Sequence, residues 1–425
     1  MEANMDIQII CIVGLGYIGL PSAALLASRG QRVIGCDIQP HIVDTINAGL
    51  VHLLEPELDS LVKEVVDSGK LTAQLEIPKA DVYVITVPTP VTEDHQPDIS
   101  YVKAAVESIA PQLEKGNLLI LESTSPVGTT EQAGQWIRAL RPDLNDLTDL
   151  LDIYLAYCPE RVMPGKIIRE LIENDRVVGG VNKISTEKAI TFYKLFVKGD
   201  CIATTARVAE MTKLTENAFR DVNIAFANEL SMICDHQNID VWELINLANR
   251  HPRVKILQPG PGVGGHCIAV DPWFIVSSSP NQTKLIRQAR EVNDHKARYE
   301  LEKILKITRK IENPIIACLG ITFKKDVDDL RESPALMIVN QLAEKTSGKI
   351  MIVEPHIKIL PKTLLENKNV ILASLENALS MANIVVLLVA HSAFAKEKII
   401  ELSIGKIIDT VGLIGKKYET NITVA

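Results

Sequence analysis

Short apolar runs alternate with amphipathic segments over the first 200 residues. Six of these runs are rich in Val, Ile and Leu and carry few polar residues, as strands buried on both faces of a parallel sheet do. The segments between them repeat apolar residues with helical periodicity. This alternation predicts a doubly wound α/β domain. The predicted strands are 9–14, 32–37, 81–87, 118–123, 153–158 and 176–179.

The pattern changes after residue 205. Residues 206–237 contain no Gly or Pro and predict one long helix, and helical patterns follow at 240–250 and 283–311. Alternation of strand and helix returns beyond Pro314, with predicted strands at 315–320, 350–353, 370–373, 384–389 and 406–409. We therefore expect two Rossmann-like doubly wound domains joined by a central helical region. The predicted domains are residues 1–204, 205–312 and 313–425.

Composition narrows the class of protein. A formal charge of −8 over 425 residues, without a Lys/Arg block, argues against a nucleic-acid partner. The longest apolar runs are too short to span a bilayer, and the N-terminus runs straight into a predicted strand without a signal-peptide pattern. The seven cysteines have no paired spacing, which favours reduced thiols over disulfides or a metal site. We expect a cytoplasmic protein with no membrane or metal partner.

A glycine-rich turn follows the first predicted strand and opens a helix. Its residues are Gly14, Leu15, Gly16, Tyr17, Ile18 and Gly19. Glycines here permit a tight turn, close approach of backbone N–H groups to a pyrophosphate, and close packing of helix on strand. Asp37 ends the next strand, where an acid binds ribose hydroxyls and disfavours a 2′-phosphate. The pattern predicts NAD as cofactor, against the alternative of a glycine turn that binds something else.

A second glycine-rich segment, residues 258–274, surrounds Cys267. His266 precedes this cysteine and Asp271 follows it by four residues, so the thiol has the uncrowded, polar setting that a nucleophile needs. The alternative is a buried inert thiol, which suits the other six cysteines. Thr89 and Thr124 follow two strands at the carboxyl edge, where ligands bind, although Ser and Pro punctuate loops there anyway.

The long helix carries a stripe of polar side chains: Glu210, Lys213, Asn217 and Arg220. At 100° per residue they fall within an arc of roughly 80°. A charged stripe is usually a solvated face, but this helix is otherwise rich in Ala, Leu, Phe and Ile. A mostly buried helix would place these groups in a catalytic or binding role, because buried Lys is costly unless it is paired.

The chain as a whole resembles the UDP-glucose/GDP-mannose dehydrogenase family. The resemblance runs in order through GLGYIG, VPTP, STSPVGTT, CPERV, EMTKLTENAFRDVNIAFANEL, GPGVGGHCIAVDPW and GITFKKDVDDLRESP. It implies an NAD-binding domain, a helical dimerisation core that makes a homodimer or higher oligomer, and a UDP-binding domain. It also implies oxidation of a nucleotide-sugar alcohol at C6 to the carboxylate, with two NAD reduced per sugar.

Within the family, the segments HPRV and HCIAVDPWF are similar to the branch that acts on UDP-N-acetylhexosamines, and Val270 stands where the glucose branch usually has Lys. The implied substrate is UDP-N-acetyl-D-mannosamine, oxidised to UDP-N-acetyl-D-mannosaminuronate for bacterial surface polysaccharide synthesis. UDP-N-acetylglucosamine or UDP-glucose is the alternative. Thr410 and Val411 occupy a stretch where relatives often have a basic residue.

The resemblance also assigns roles to individual residues. Cys267 would be the nucleophile, Asp271 would hold a water, and Glu160 would assist thioester hydrolysis. The implied catalytic residues are Cys267, Lys213, Asn217, Asp271, Glu160 and Thr124. The implied NAD contacts are Gly14, Gly16, Tyr17, Ile18, Gly19, Asp37, Thr89, Thr130 and Arg331. The implied substrate contacts are Arg161, Val162, Lys213, Asn217, Arg220, His251, Arg253, Gly264, Phe323 and Lys324, with His251 and Arg253 reaching a neighbouring subunit.

Two other classes of function remain open from the residues alone. A two-electron hydroxyacid dehydrogenase could share the long helix and its lysine, but it would not need Cys267 or a second α/β domain. A non-catalytic nucleotide-sugar binding protein would not need Lys213, Asn217, Cys267 and Asp271 together.

Overall fold

The fold comes from a computed structural model that describes residues 7–53, 55–92, 94–145, 151–163 and 165–415. Within these residues the chain forms two compact units. The first comprises Met1–Glu216 with Trp273–Ser278, and the second comprises Asn217–Pro272 with Ser279–Ala425. The division into three domains expected from the sequence stays a prediction.

The first unit is built on a sheet that has eight strands in the described residues, in the order β3-β2-β1-β4-β5-β6-β7-β8. The strands are β1 (Ile10–Val13), β2 (Val33–Cys36), β3 (Leu71–Gln74), β4 (Val82–Ile85), β5 (Leu118–Leu121), β6 (Tyr154–Tyr157), β7 (Arg176–Gly180) and β8 (Cys201–Thr205). The helices are α1 (Gly19–Ser28), α2 (Pro40–Asn47), α3 (Leu58–Asp67), α4 (Ser100–Ile109), α5 (Thr129–Leu140), α6 (Ile167–Glu173), α7 (Lys183–Tyr193) and α8 (Ala206–Gln237). Short 3₁₀ turns lie at Ala110–Gln112 and Pro142–Leu144.

Both faces of this sheet are buried, which is why its central strands are almost entirely apolar. Ile10 and Ile12 of β1 face one hydrophobic core. Cys11 and Val13 alternate with them and face a second core. Strand β1 pairs in parallel with β2 on one side and β4 on the other. The winding reverses between these neighbours, so the turn after β1 lies at the position where open α/β sheets bind ligands.

All six strands predicted from the apolar runs are present in this sheet, but two strands were missed. Strands β3 and β8 lie at its two edges, and their sequences LTAQ and CIATT carry exposed polar positions. One pairing departs from the parallel arrangement, because β7 runs antiparallel to β6, with Tyr157 opposite Gly179. The amino end of β7 therefore extends beyond the carboxyl end of β6.

The second unit contains long helices and a five-stranded parallel sheet. It includes α8 from Asn217 onward. The elements that follow α8 along the chain are α9 (Val241–Ala248), α10 (Asp271–Ser278), α11 (Lys284–Thr308), β9 (Ile315–Leu319), α12 (Pro334–Lys345), β10 (Lys349–Val353), α13 (Lys362–Leu365), β11 (Val370–Leu372), α14 (Leu375–Met381), β12 (Ile384–Leu387), α15 (Lys396–Leu402) and β13 (Lys406–Asp409). Of these, α10 belongs to the first unit from Trp273 onward. The sheet order β11-β10-β9-β12-β13 repeats the winding of the first sheet. Every strand predicted for this region is present. In the part of the chain that the structure describes, no helix is long and apolar enough to cross a membrane.

Helices α8 and α11 are joined by a buried polar network. Arg290 is 2% exposed, and its guanidinium pairs with the fully buried Asp221 at 2.6 Å. Asn293 donates to the same Asp221 oxygen and accepts from Asn228, whose own oxygen accepts the Gly260 N–H. Two buried helix faces are thereby connected to the start of the glycine-rich segment around Cys267. Replacing one partner leaves a charge buried without its counter-ion.

We predict that Asp221→Ala lowers the free energy of unfolding by about 3–5 kcal/mol, because Arg290 then stays buried without its main partner. The matched control is Asp294→Ala, which removes the partly exposed second partner of Arg290 and should cost at most about 1 kcal/mol. Denaturant unfolding of the two variants checks this. Equal losses would show that the buried pair is no more important than the surface one.

Candidate active site

The glycine turn after β1 has two glycines that the fold itself requires and one that it does not. Gly14 has φ +92°, and a Cβ there would lie 3.0 Å from the Thr86 carbonyl oxygen. A Cβ on Gly19 would lie 1.8 Å from the Gly14 carbonyl oxygen. A Cβ on Gly16 would meet no atom within 4 Å. Packing therefore does not require glycine at 16, whereas close approach of a phosphate does.

Neighbouring strands fix the shape of this turn. Asp37, after β2, accepts the Leu15 N–H at 2.9 Å, so its carboxylate lies against the turn. The Thr86 hydroxyl, after β4, donates to the Gly14 carbonyl at 2.7 Å. Ser123, after β5, donates to the Val87 carbonyl at 2.7 Å. Side-chain hydrogen bonds thus stabilise the carboxyl edge of the sheet. Nothing in the sequence indicated this role for Thr86 and Ser123 except their positions at the ends of strands.

Glu210 of α8 is fully buried and holds the start of α5. Its carboxylate accepts the Gly128 and Thr130 backbone N–H groups and the Thr130 hydroxyl, at 2.6 to 2.8 Å. Burial raises the pKa of Glu210, although these hydrogen bonds act in the opposite direction. Thr130, expected to contact NAD, is itself buried and occupied by this carboxylate. Glu210 therefore has a structural role at the carboxyl edge of the first sheet.

Lys213 lies one turn further along α8 and is 8% exposed. Its charge acts on Glu160, the residue expected to assist hydrolysis. Burial raises the pKa of Glu160, although Lys213, the Val162 N–H that Glu160 accepts, and Arg176 lower it. Arg161 pairs with Glu216 at 2.7 Å and donates to the Asp175 carbonyl. The structure therefore brings Glu160 and Lys213 together.

Three further predicted catalytic residues meet in the second unit. The Asn217 amide donates to Asp271 at 2.5 Å, and Asp271 is 2% exposed. The Asp271 N–H donates to the Cys267 carbonyl at 2.8 Å, which places the two residues one turn apart at the start of α10. The Cys267 side chain is half-buried. Lys213 and Asn217 are four residues apart and so share a face of α8.

The glycines before Cys267 have a packing role that the sequence alone did not indicate. Gly264 and Gly265 pack against the chain itself, and the predicted substrate contact of Gly264 stays a prediction. A Cβ on Gly264 would lie 2.3 Å from the Glu332 carbonyl oxygen, and one on Gly265 would lie 2.8 Å from the Phe323 ring. The Gly265 N–H also donates to the Arg331 carbonyl. The loop that carries Cys267 is seated on segment 323–334, so Phe323 supports it directly.

The other predicted site residues are exposed or half-buried. Thr89 and Thr124 are half-buried at the carboxyl edge. Arg331 is exposed and pairs with Asp329 at 2.6 Å. The remaining members are exposed or half-buried: Tyr17, Ile18, Arg220, His251, Arg253 and Lys324. At the end of the predicted α8 stripe, Arg220 is exposed whereas its neighbour Asp221 is fully buried, and a substrate contact of Arg220 stays a prediction.

Family models match nearly the whole chain in the same order as these elements. Residues 8–197 match the NAD binding domain of the UDP-glucose/GDP-mannose dehydrogenase family, 207–295 its central domain, and 317–416 its UDP binding domain. The chain belongs to this family. It is an NAD-dependent UDP-sugar dehydrogenase, as the motifs implied.

Relatives extend the match over full chains. An NDP-N-acetyl-D-galactosaminuronic acid dehydrogenase from Ralstonia nicotianae is 55% identical over 97% of this chain and 98% of its own. A UDP-N-acetyl-D-mannosamine dehydrogenase from Campylobacter jejuni is 57% identical over 91% of this chain and 96% of its own. A solved UDP-D-ManNAc dehydrogenase from Pyrococcus horikoshii covers 96% of both chains at 37% identity, with a TM-score of 0.86.

One cluster in the UDP binding domain has the composition of a metal site but not its chemistry. Ligand atoms of Asp326, His356 and His391 lie within 4.8 Å of one another. His391 Nδ1, however, accepts the Asp326 N–H at 3.0 Å, and its Nε2 lies 3.1 Å from buried Glu354. Both ring nitrogens are thus used by the protein. Glu354 in turn accepts the Ile321 N–H, just as Asp37 accepts the Leu15 N–H at the equivalent turn of the first sheet.

We predict that Gly16→Ala leaves the stability of the ligand-free enzyme unchanged but weakens NAD binding by about tenfold or more. The physical reason is that a methyl group there meets no protein atom but displaces a phosphate from the backbone N–H groups, and a charged hydrogen bond contributes about 1.5–3 kcal/mol. Gly19→Ala is the matched comparison and should lower the free energy of unfolding by at least about 1–3 kcal/mol, because its Cβ meets backbone. Thermal unfolding and NAD titration measure both. Unchanged NAD affinity in Gly16→Ala would contradict the assignment.

Proposed function

We propose that this enzyme oxidises UDP-N-acetyl-D-mannosamine at C6 to UDP-N-acetyl-D-mannosaminuronate, a sugar for bacterial surface polysaccharides, and that it does so through a covalent Cys267 intermediate. The observation that carries the proposal is the hydrogen bond from Asn217 to buried Asp271, a residue that lies one helical turn from Cys267. A binding protein has no need for a nucleophile, an acid and an amide in one place. The C. jejuni and P. horikoshii relatives support the choice of sugar.

The first step removes the C6 hydroxyl proton. A water held by Asp271 and Lys213 takes that proton. NAD held at the glycine turn after β1 would supply the hydride acceptor, with one NAD molecule for each of the two oxidations. The Lys213 ammonium and the Asn217 amide donate to the oxygen as negative charge develops on it. Because Asn217 is already oriented by Asp271, little reorganisation is needed at the moment of reaction.

The second oxidation needs the thiolate. An aldehyde is a poor hydride donor, so Cys267 sulfur adds to C6 and the carbonyl oxygen takes up a proton, which gives a thiohemiacetal. Loss of a proton and a hydride from this adduct leaves a thioester. The Cys267 loop packs against Phe323 and Glu332, and this packing restricts the position of the sulfur atom. Positioning of this kind accounts for a large share of the rate in covalent catalysis.

Hydrolysis completes the reaction. Water adds to the thioester carbonyl, its proton passes to the Glu160 carboxylate, and the C–S bond breaks with the electron pair leaving on sulfur. Burial raises the pKa of Glu160, which suits this role, since a more basic carboxylate accepts a proton more readily than an ordinary one. Activity should therefore fall as pH drops and Glu160 becomes protonated.

A second sugar is a specific alternative. The R. nicotianae relative, 55% identical over 97% of the chain, is named for an N-acetyl-D-galactosamine-derived acid. UDP-N-acetylgalactosamine therefore joins UDP-N-acetylglucosamine and UDP-glucose as a competing substrate. The reaction chemistry would be the same, because these sugars differ away from C6.

The expected homodimer is also a proposal, and an exposed apolar stripe on α8 supports it. Phe219, Phe226 and Ile233 follow one another at seven-residue spacing and are 70%, 53% and 46% exposed. Large apolar side chains in such a row are typical of a helix that packs against another helix. His251 and Arg253 lie exposed on the same unit, available to a second copy. The cytoplasmic location stays a prediction.

The reaction is tested by counting NADH per sugar consumed over a panel of the four UDP-sugars. We expect a ratio near two and the highest kcat/KM with UDP-N-acetyl-D-mannosamine. Cys267→Ser should abolish formation of the acid but keep reduction of the aldehyde by NADH, whereas Cys201→Ser, another half-buried thiol, should keep full turnover. A ratio near one, or unchanged turnover in Cys267→Ser, would overturn the four-electron scheme. Higher kcat/KM with another sugar would change the substrate alone.

The dimer is tested with Phe226→Asp, which should convert the oligomer to monomers in light-scattering measurements because a carboxylate in an apolar interface must be desolvated. The matched control is Ile359→Asp on another surface of the same unit, where the side chain is 77% exposed, and it should leave the mass unchanged. A wild-type monomer at micromolar concentration would contradict the proposal.

A further inference from the structure

A buried histidine joins three loops at the carboxyl edge of the second sheet. His391, which follows β12, is 1% exposed. Its hydrogen-bond partners follow two other strands: Thr322 and Asp326 come after β9, and Glu354 comes after β10. Ligands of open α/β sheets bind among the loops at this edge. The reaction steps above leave His391 without a role.

The hydrogen bonds fix one neutral form of the His391 ring. Nδ1 accepts the Asp326 N–H at 3.0 Å, so this nitrogen carries no proton. Nε2 lies 3.1 Å from the carboxylate of Glu354, which also accepts the backbone N–H groups of Ile321 and His356. A carboxylate only accepts hydrogen bonds, so Nε2 carries the ring proton and donates to Glu354.

Residues 321–326, which we call the β9 segment, depend on the loop after β12 for their shape. Asp326 has φ +57°, a left-handed conformation that residues other than glycine adopt infrequently. Its N–H is held by His391, and its carboxylate accepts the N–H and the hydroxyl of Ser392 at 2.8 and 2.6 Å. The end of the β9 segment is therefore fixed by hydrogen bonds in both directions.

The β9 segment includes two residues expected to contact the nucleotide sugar, Phe323 and Lys324. Thr322 immediately precedes them, and its hydroxyl lies 3.2 Å from His391 Nε2. The same hydroxyl donates to the Lys324 carbonyl at 2.9 Å. His391 thus contacts the segment on both sides of the two expected binding residues, at Thr322 and at Asp326.

We propose that His391 is a positioning residue for the nucleotide half of the substrate: its neutral ring holds the β9 segment in the conformation that binds uridine diphosphate. The proposal rests on the proposed function in one respect, the contact of Phe323 and Lys324 with the nucleotide sugar. His391 is buried, so it acts through those residues. Because the apparent affinity of a site falls with the fraction of molecules in which the site is ordered, loss of this support should weaken binding.

Two substitutions separate the hydrogen bond to Asp326 from simple packing. In His391→Asn the amide oxygen can take the position of Nδ1, so an acceptor for the Asp326 N–H is kept. The longer side chain of His391→Gln places its amide near the position of Nε2, so it can bond Glu354 but leaves the Asp326 N–H without that acceptor. Both variants lose the imidazole ring and its edge contact with Phe394, whose ring centre lies 5.4 Å away.

The measurement is calorimetric titration of the full-length enzyme with UDP alone. We expect affinity weaker by about tenfold or more in His391→Gln and within about threefold of wild type in His391→Asn. His356→Asn is the matched control and should leave the affinity unchanged, since this exposed ring lies 4.9 Å from that of His391. Equal losses in the two His391 variants, no loss in either, or the reverse order overturns the proposal, because a packing role would affect both alike.

A second measurement uses the unsubstituted enzyme and does not depend on whether a variant folds. ¹⁵N NMR of histidine-labelled protein reports which ring nitrogen carries the proton, and His391 is identified by the resonance that is lost in His391→Asn or His391→Gln. We expect a single tautomer with the proton on Nε2. A protonated Nδ1, or a mixture of the two tautomers, would contradict the proposal.

Binding of UDP involves no chemistry at C6, so these measurements are independent of the proposed reaction. If the affinities for UDP follow the expected order while wild-type enzyme forms one NADH per sugar, the positioning role of His391 holds and the four-electron scheme fails. If the NADH ratio is near two and the affinities do not change, the reaction holds and His391 has no such role.

Discussion

One face of helix α8 carries polar and charged side chains into the protein interior, and most of the candidate site depends on how each of them is compensated. Glu210, Lys213, Asn217, Asp221 and Asn228 recur at helical spacing within an arc of roughly 80°. Each is matched by a different partner. Glu210 accepts the first N–H groups of α5, Lys213 acts on Glu160, Asn217 donates to Asp271, and the last two belong to the network around Arg290. Burial without such partners would cost several kcal/mol per charge.

Their partners separate the polar residues of α8 into those with a structural role and those that the proposed reaction uses. Glu210, Asp221 and Asn228 are hydrogen-bonded to backbone and neighbouring side chains, so they fix the positions of α5 and of the segment that leads to Cys267. Half-buried Asn217 lies between Lys213 and Asp221 along the helix. Because a helix is stiff over this length, residues that hold α8 in place also fix the positions of Lys213 and Asn217.

Much of the fold and of the candidate site could be predicted from the sequence, because strands buried on both faces and a glycine turn leave strong local patterns. All eleven strands predicted from apolar runs are present. Strands β3 and β8 were not predicted, because they lie at the edges of the sheet and expose polar residues. The grouping of Cys267 with Asp271 follows from their spacing. The reversal of β7, and with it the place of Arg176, could not be predicted, since strand direction depends on tertiary pairing. The packing role of Gly264 and Gly265 could not be predicted for the same reason, because the atoms that exclude a Cβ there belong to Phe323 and Glu332, far along the chain.

The seating of the Cys267 loop on segment 323–334 also bears on how such a chain can evolve. A Cβ at position 265 would enter the Phe323 ring, and one at 264 would enter the Glu332 backbone. Drift at these positions is therefore coupled, and a larger residue at 265 becomes tolerable only after the ring at 323 has been lost. Diversification of sugar preference is consequently directed away from this loop, to surfaces whose residues can change one at a time.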